Sequence, residues 1–132
     1  MTMLRGIHHV AVICCDYAVS KAFYVDTLGL SVIAEHYRQA RESWKLDLAL
    51  PDGTQIELFS FPDAPPRPSW PEARGLRHLA FAVDDLDGAC AALAAMGVTL
   101  EPVRVDPYTG RRFVFFSDPD GLPLELYAGA EA

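Results

Sequence analysis

Residues 5–16 read RGIHHVAVICCD, and residues 74–85 repeat this segment as RGLRHLAFAVDD at an offset of 69. Five of the twelve aligned pairs are identical, including His9 with His78. Within both segments apolar residues alternate in the manner of a half-buried β-strand. A segment that recurs at a fixed offset indicates an internal repeat, which has to be recognised before a fold is assigned.

A second pair of segments extends the repeat. PDGTQIELF (residues 51–59) aligns with PDGLPLELY (residues 119–127) at an offset of 68, and five of the nine positions are identical. The identical positions include Glu57 with Glu125, each of which is the single charged residue in a strand-like run. Two separate blocks with nearly the same offset are hard to produce by chance. The chain is therefore predicted to contain a duplicated module.

Each module has the same predicted order of elements. A strand is followed by an aspartate that can cap a helix, a helical segment, a glycine that can end the helix, and three further strands. The predicted helices are AVSKAFYVDTL and LDGACAALAAM, and the later strands are LSVIAEHY, SWKLDLAL and QIELFSF, then VTLEPVRV, RRFVFFS and LPLELYA. The predicted fold class is therefore α+β, with two tandem β-α-β-β-β modules.

The domain organisation follows from the repeat and from the proline content. We expect a single domain over residues 1–132, with module one at about 5–61 and module two at about 74–128. The linker between them, at about 62–73, holds five of the ten prolines of the chain. Such a composition continues neither a helix nor a strand and favours an extended connection.

Charge and hydropathy exclude several classes of function. The net charge of −7 argues against nucleic acid or an anionic membrane as a partner, because both require a basic surface. No apolar run approaches the roughly 20 residues of a membrane span, and the first residues lack the pattern of a signal peptide. We therefore expect a cytoplasmic protein whose partner is a small molecule.

Two adjacent histidines, His8 and His9, raise the question of which one has a functional role. Because successive side chains of a strand point to opposite faces, we predict that the two imidazoles do not serve the same site. The repeat selects His9, since His9 aligns with His78 whereas His8 aligns with Arg77. The small residues predicted beside His9 and His78 leave room for a ligand.

The aligned histidines and glutamates form a candidate metal site. A lone histidine or glutamate in a strand is most often structural or solvated, but here both types recur at equivalent positions of the repeat. The four residues that could converge on one point between the modules are His9, Glu57, His78 and Glu125. Imidazole and carboxylate favour one divalent ion of zinc, nickel, iron, cobalt or manganese. Four such ligands in an octahedral field leave two positions for water or substrate.

The sequence resembles the vicinal oxygen chelate superfamily, the glyoxalase, bleomycin resistance and dioxygenase group, over essentially its whole length. The resemblance rests on HHVAVICCDYAVSKAFYVDTLGL, QIELFSF, GLRHLAFAVDDLD and DPDGLPLELY, and FYVDTLGL is quite specific to this group. It implies paired modules whose mixed sheets curve around a metal site with the ligands His9, Glu57, His78 and Glu125. Members of this size commonly form homodimers, so the ligands come from one chain or from two.

The resemblance favours a divalent-metal-dependent lyase or isomerase of the glyoxalase I type. Glyoxalase I members often have glutamate at the position of Glu57, whereas extradiol dioxygenases use the equivalents of only His9, His78 and Glu125. The implied substrate is a thiol adduct, the hemithioacetal of a 2-oxoaldehyde. Glu125 would remove the proton next to the carbonyl while Glu57 stays a metal ligand, and reprotonation of the neighbouring carbon would give a 2-hydroxyacyl thioester.

Two other functions stay open at this point. The first is a ferrous extradiol-type dioxygenase with two histidines and one carboxylate on the iron, in which Glu57 has no role. The second is a protein that binds and sequesters an antibiotic or a toxin in an aromatic pocket. The aromatic candidates for such a pocket are Trp44, Phe59, Tyr108 and Phe115.

Five basic residues are candidates for binding the carboxylates of a thiol such as glutathione. They are Arg38, Arg41, Lys45, Arg111 and Arg112. Each is equally credible as a solvated surface charge, so the sequence does not choose among them.

Overall fold

The structure, a computed structural model, describes residues 1–130 and divides into two compact units. The first unit is Met1–Pro66, and the second begins at Arg67. This boundary lies inside the predicted linker, and residues 61–78 contain neither helix nor strand. The predicted single domain, 1–132, includes two residues outside the described part. That the whole chain forms one domain stays a prediction.

The first unit is a β-α-β-β-β module. Its elements are β1 (His9–Cys14), α1 (Tyr17–Ala22), β2 (Ser31–Arg38), β3 (Ser43–Ala49) and β4 (Gln55–Ser60), with a π-helical turn Phe23–Thr27 after α1 and a 3-10 turn Gln39–Arg41 after β2. The strand order is β1-β4-β3-β2. Strands β1 and β4 are parallel, and the other neighbours are antiparallel, so the sheet is mixed.

The second unit has the same topology. Its elements are β5 (Leu79–Val83), α2 (Leu86–Ala95), β6 (Arg104–Val105), β7 (Arg112–Ser117) and β8 (Pro123–Ala128). The strand order β5-β8-β7-β6 repeats that of the first sheet, again with one parallel pair. The prediction of an α+β fold with two β-α-β-β-β modules is therefore confirmed.

The residues that flank the helices act as the sequence predicts. Asp16 and Asp85 cap α1 and α2, and each carboxylate accepts a hydrogen bond from the backbone N–H three residues later. Gly29 and Gly97 follow the helical segments with φ of 79° and 85°, a conformation that other residues adopt only at a cost. Within residues 1–130, there is no helix that is both long enough and apolar enough to cross a membrane.

One predicted strand is much shorter than the sequence suggests. The segment VTLEPVRV predicts a strand over 98–105, but β6 is only Arg104–Val105. Pro102 has no N–H to donate to a ladder. The N–H of Glu101 donates to the carbonyl of Phe115 outside the paired strands. The segment before β6 is therefore irregular, and the predicted length is wrong.

Each sheet has a core face and an opposite face, which we call the open face. Alternation predicts that Val12 points to the core while Ile13 shares the other face with His9, and this is confirmed, since Val12 is 6% exposed and Ile13 54%. The buried apolar side chains include Val12, Cys14, Tyr24, Leu46, Leu48, Ile56 and Leu58 in the first unit, and Leu86, Leu93, Val114, Phe116, Leu124 and Leu126 in the second.

Candidate functional site

The first unit brings His9 and Glu57 together on its open face. In the parallel pair of β1 and β4, Ala11 lies opposite Glu57. His9 precedes Ala11 by two residues and therefore points to the same face. The Nε2 atom of His9 is 3.6 Å from Oε2 of Glu57, and the two side chains are 42% and 15% exposed.

The second unit repeats this arrangement at the equivalent positions. Ala80 lies opposite Glu125 in the parallel pair of β5 and β8, and His78 precedes Ala80 by two residues. The Nε2 atom of His78 is 3.3 Å from Oε2 of Glu125. Phe115, opposite Glu125 on β7, contacts the imidazole of His78 edge to face at 5.1 Å between ring centres.

Burial changes the acidity of Glu125. The residue is only 7% exposed. This burial raises the pKa of its carboxyl above the usual value, while the charges of His78 and Arg104 act in the opposite direction. Glu125 is thus a buried carboxylate that lies beside the imidazole of His78 on the open face.

His8 contacts His9 directly, although strand alternation by itself would place the two side chains on opposite faces. The two Nδ1 atoms are 2.9 Å apart, and the rings meet edge to face with centres 5.2 Å apart. Because β1 begins at His9, His8 precedes the strand and the alternation does not apply to it. The contact occupies Nδ1 of His9 and leaves Nε2 toward Glu57. Sequence reasoning did not predict this contact, although the adjacency of the two histidines was visible.

The second ring nitrogen of His78 has different surroundings. Its Nδ1 atom is buried and has no hydrogen-bond partner within the described part of the chain. Arg77, which aligns with His8, is directed to Glu72 instead, with 2.5 Å between Nε and Oε2. Buried polar atoms without a partner are rare and are often explained by a water, an ion or a functional role. The imidazole of His78 is therefore a candidate for a bound group.

A cavity of about 310 Å³ opens beside His78 within the second unit. Its lining includes Arg67, Trp70, Arg77, Glu101, Arg104 and Phe115. Of the four aromatic residues predicted for a pocket, Phe115 lines this cavity, whereas Trp44 stacks on Tyr17 and Tyr108 is almost fully exposed. The volume lies at the lower end of the range for small-molecule sites.

The donor atoms of each pair are spaced as two ligands of one divalent metal would be. Two ligands at right angles on one ion, with bonds of about 2.1 Å, lie about 3 Å apart, close to the 3.6 and 3.3 Å between nitrogen and oxygen in the two pairs. Among residues 1–130, no group of three or more His, Cys, Asp or Glu side chains is placed to hold a metal ion. Each pair by itself supplies one nitrogen and one oxygen donor.

Comparison with known proteins identifies the family. The model of the Glyoxalase/Bleomycin resistance protein/Dioxygenase superfamily matches residues 6–126, and this chain belongs to that superfamily, as the resemblance predicted. The chain is 63% identical to YaeR, an uncharacterized protein of Escherichia coli (strain K12), over 96% of this chain and 98% of YaeR.

Two further relatives extend the comparison. A solved glyoxalase family protein from Enterococcus faecalis has a TM-score of 0.89 and 46% identity, covering 96% of this chain and 99% of that one. A 2-epi-5-epi-valiolone epimerase from Actinomyces sp is 30% identical over 92% of this chain and 78% of the relative. The family and the fold are thus shared with proteins of more than one kind.

Proposed function

We propose that this protein is a divalent-metal-dependent lyase or isomerase of the glyoxalase I type. Its substrate would be a small molecule that binds the metal through two adjacent oxygens, such as the hemithioacetal of a 2-oxoaldehyde. The observation that supports this proposal is the recurrence of a histidine–glutamate pair at equivalent positions of both units. Two half-sites with the same donors are what a pseudo-symmetric site of four ligands requires.

The metal would be held by His9, Glu57, His78 and Glu125, within one chain or across a homodimer. These donors suit zinc, nickel, iron, cobalt or manganese. When bound, such an ion supplies Lewis-acid polarisation of the substrate oxygens. His8 would act from outside the ligand set, because its contact with Nδ1 of His9 orients that ring.

Glu125 would be the general base. Its carboxylate is buried beside the imidazole of His78, and a carboxylate held next to the substrate can accept a proton from a carbon next to a carbonyl. Glu57 would remain a ligand. Return of the proton to the neighbouring carbon converts a hemithioacetal into a 2-hydroxyacyl thioester. Return to the same carbon is an epimerisation, the reaction for which the Actinomyces relative is named.

The metal is tested by elemental analysis of protein purified without chelator. We expect one divalent ion per chain in the wild type and its loss in both His9→Ala and His78→Ala, because the two histidines belong to one ligand set. Size-exclusion chromatography of the same samples tests the expected homodimer. Retention of the ion in both variants would contradict the proposed site.

The reaction is tested by a substrate survey on the metal-loaded protein. The survey includes methylglyoxal with several thiols, epimerisable acyl thioesters, and catechols under oxygen, with Glu125→Gln at the same metal content as the control. We expect the wild type to form a thioester or to epimerise a substrate, and we expect Glu125→Gln to lose that activity. Oxygen consumption with a catechol would support a ferrous dioxygenase instead. Tight stoichiometric binding without turnover would support a sequestering protein.

A further inference from the structure

Three basic side chains of the first unit lie around two phenylalanine rings. The guanidinium carbon of Arg38 is 4.9 Å from the ring centre of Phe59 and 5.7 Å from that of Phe61. The guanidinium carbon of Arg41 is 5.1 Å from the centre of Phe61, and Nζ of Lys45 is 6.0 Å from that of Phe59. The two rings are nearly parallel, with centres 6.0 Å apart. We call these five residues the basic–aromatic cluster.

The two arginines of the cluster carry positive charge that no carboxylate of the described chain pairs with. Lys45 pairs with Asp47 at 2.7 Å, but neither Arg38 nor Arg41 has a carboxylate oxygen within 4.0 Å among residues 1–130. Arg38 donates from Nη2 to the hydroxyl of Ser43 at 3.0 Å, whereas its buried Nε has no acceptor. A buried charged donor without an acceptor is costly, so an anionic oxygen that reaches it is favoured.

The cluster adjoins the glutamate that the proposed function assigns to the metal. Phe59 follows Glu57 by two residues on β4, so the two side chains share the open face and are separated by about 7 Å along the strand. Lys45 lies opposite Phe59 in the antiparallel pair of β3 and β4. The cluster therefore begins one side-chain position beyond Glu57.

The two other arginines suggested by the sequence are placed differently. Arg112 forms two hydrogen bonds to the carboxylate of Asp87 in α2, at 2.9 and 3.2 Å, and this pairing compensates its charge. Arg111 is exposed, and its backbone carbonyl accepts a hydrogen bond from the N–H of Asp106. Of these four arginines, Arg38 and Arg41 combine aromatic contacts with uncompensated charge near a candidate metal ligand.

We propose that the basic–aromatic cluster binds an anionic oxygen group of the substrate, a carboxylate or a phosphate, while other oxygens of the same substrate bind the metal at Glu57. This inference rests on the proposed function, which assigns Glu57 to the metal. The aromatic contacts hold the Arg38 guanidinium in position, and a planar fork of N–H groups suits paired anionic oxygens. The substrate is then a small molecule that carries an anionic group in addition to its metal-binding oxygens.

Isothermal titration of the full chain with inorganic phosphate, and separately with succinate, tests this site. We expect saturable binding by the wild type, and the tighter probe distinguishes a phosphate from a carboxylate. Arg38→Ala should weaken binding roughly 10- to 100-fold. The affinity of Arg38→Lys should lie between those of the wild type and Arg38→Ala, because lysine keeps the charge but loses the planar fork. Arg111→Ala removes the same charge from an exposed position elsewhere and should bind like the wild type.

The titrations are performed on both chelator-treated and metal-loaded protein, so that anion binding to the metal is separated from binding to the cluster. Absence of saturable binding, or equal affinity in Arg38→Ala and Arg111→Ala, would overturn the inference. Arg41→Ala, at an exposed residue, repeats the test without disturbing a buried donor. Intact metal binding without anion binding contradicts only the proposal that the cluster binds an anion. Anion binding that depends on Arg38 without metal binding contradicts the proposed metal site alone.

Discussion

Replacement of His8 by alanine tests whether a residue outside the ligand set tunes the metal site. The Nδ1 atom of His8 contacts Nδ1 of His9 at 2.9 Å, on the side of the ring away from the Nε2 atom that faces Glu57. Loss of such an outer partner lowers metal affinity about 10- to 100-fold. Because His8 is exposed, water can replace part of the contact. We therefore expect His8→Ala to lower metal affinity by an amount near the lower end of this range, about tenfold, which is ~1.4 kcal/mol of binding free energy.

Competition with a chromophoric chelator measures the zinc affinity of each variant. His36→Ala is the matched control, since His36 is an exposed histidine of β2, and it should keep wild-type affinity. His9→Ala should lose the ion. Wild-type affinity in His8→Ala would refute the positioning role of His8. Loss of the ion in His8→Ala but not in His9→Ala would show that the repeat selected the wrong histidine.

The remaining predictions concern the base, the core and the effect of pH. Glu125→Gln should lower kcat roughly 10²–10⁴-fold in steady-state assays, because the proton acceptor is lost, while its metal content changes much less. Glu57→Gln should retain substantial activity, because a neutral oxygen can still bind the metal. Leu46→Ala should lower the free energy of unfolding in urea by about 2–5 kcal/mol, because Leu46 is fully buried. The hydrogen bond from Lys21 lowers the pKa of Glu35, so Glu35 stabilises the fold above its unfolded-state pKa. This stabilisation is lost as the pH falls through the folded-state value, so urea titrations of Glu35→Gln and the wild type should converge at acidic pH.

Each of these predictions has a result that contradicts it. Equal losses of activity in Glu125→Gln and Glu57→Gln, with metal retained in both, would mean that the two carboxylates share proton transfer. A larger loss in Glu57→Gln would reverse their roles. A negligible change in the free energy of unfolding of Leu46→Ala would contradict its place in the core. A stability difference for Glu35→Gln that persists at acidic pH would contradict an ionic origin.

Local and periodic features of the sequence predict the module and the identity of its candidate residues. The repeat predicts two equal β-α-β-β-β units, and alternation predicts that Val12 points to the core while His9 does not. Asp16 caps α1 as expected, because a cap depends on residues only a few positions away. The alignment also selects the pairs that lie 3.6 and 3.3 Å apart. Where a proline interrupts the pattern, as at Pro102, the same reasoning overestimates a strand.

Only the tertiary structure decided which side chains are neighbours across strands. The contact of His8 with His9 depends on where β1 begins, and the burial of Glu125 depends on its position in the second sheet. Arg38 and Phe61 belong to separate parts of the chain and meet only after the strands have paired. Alternation assigns a residue to a face of a strand. Its neighbours on that face are set by strand register, turns and rotamers, which are determined by packing of the whole unit.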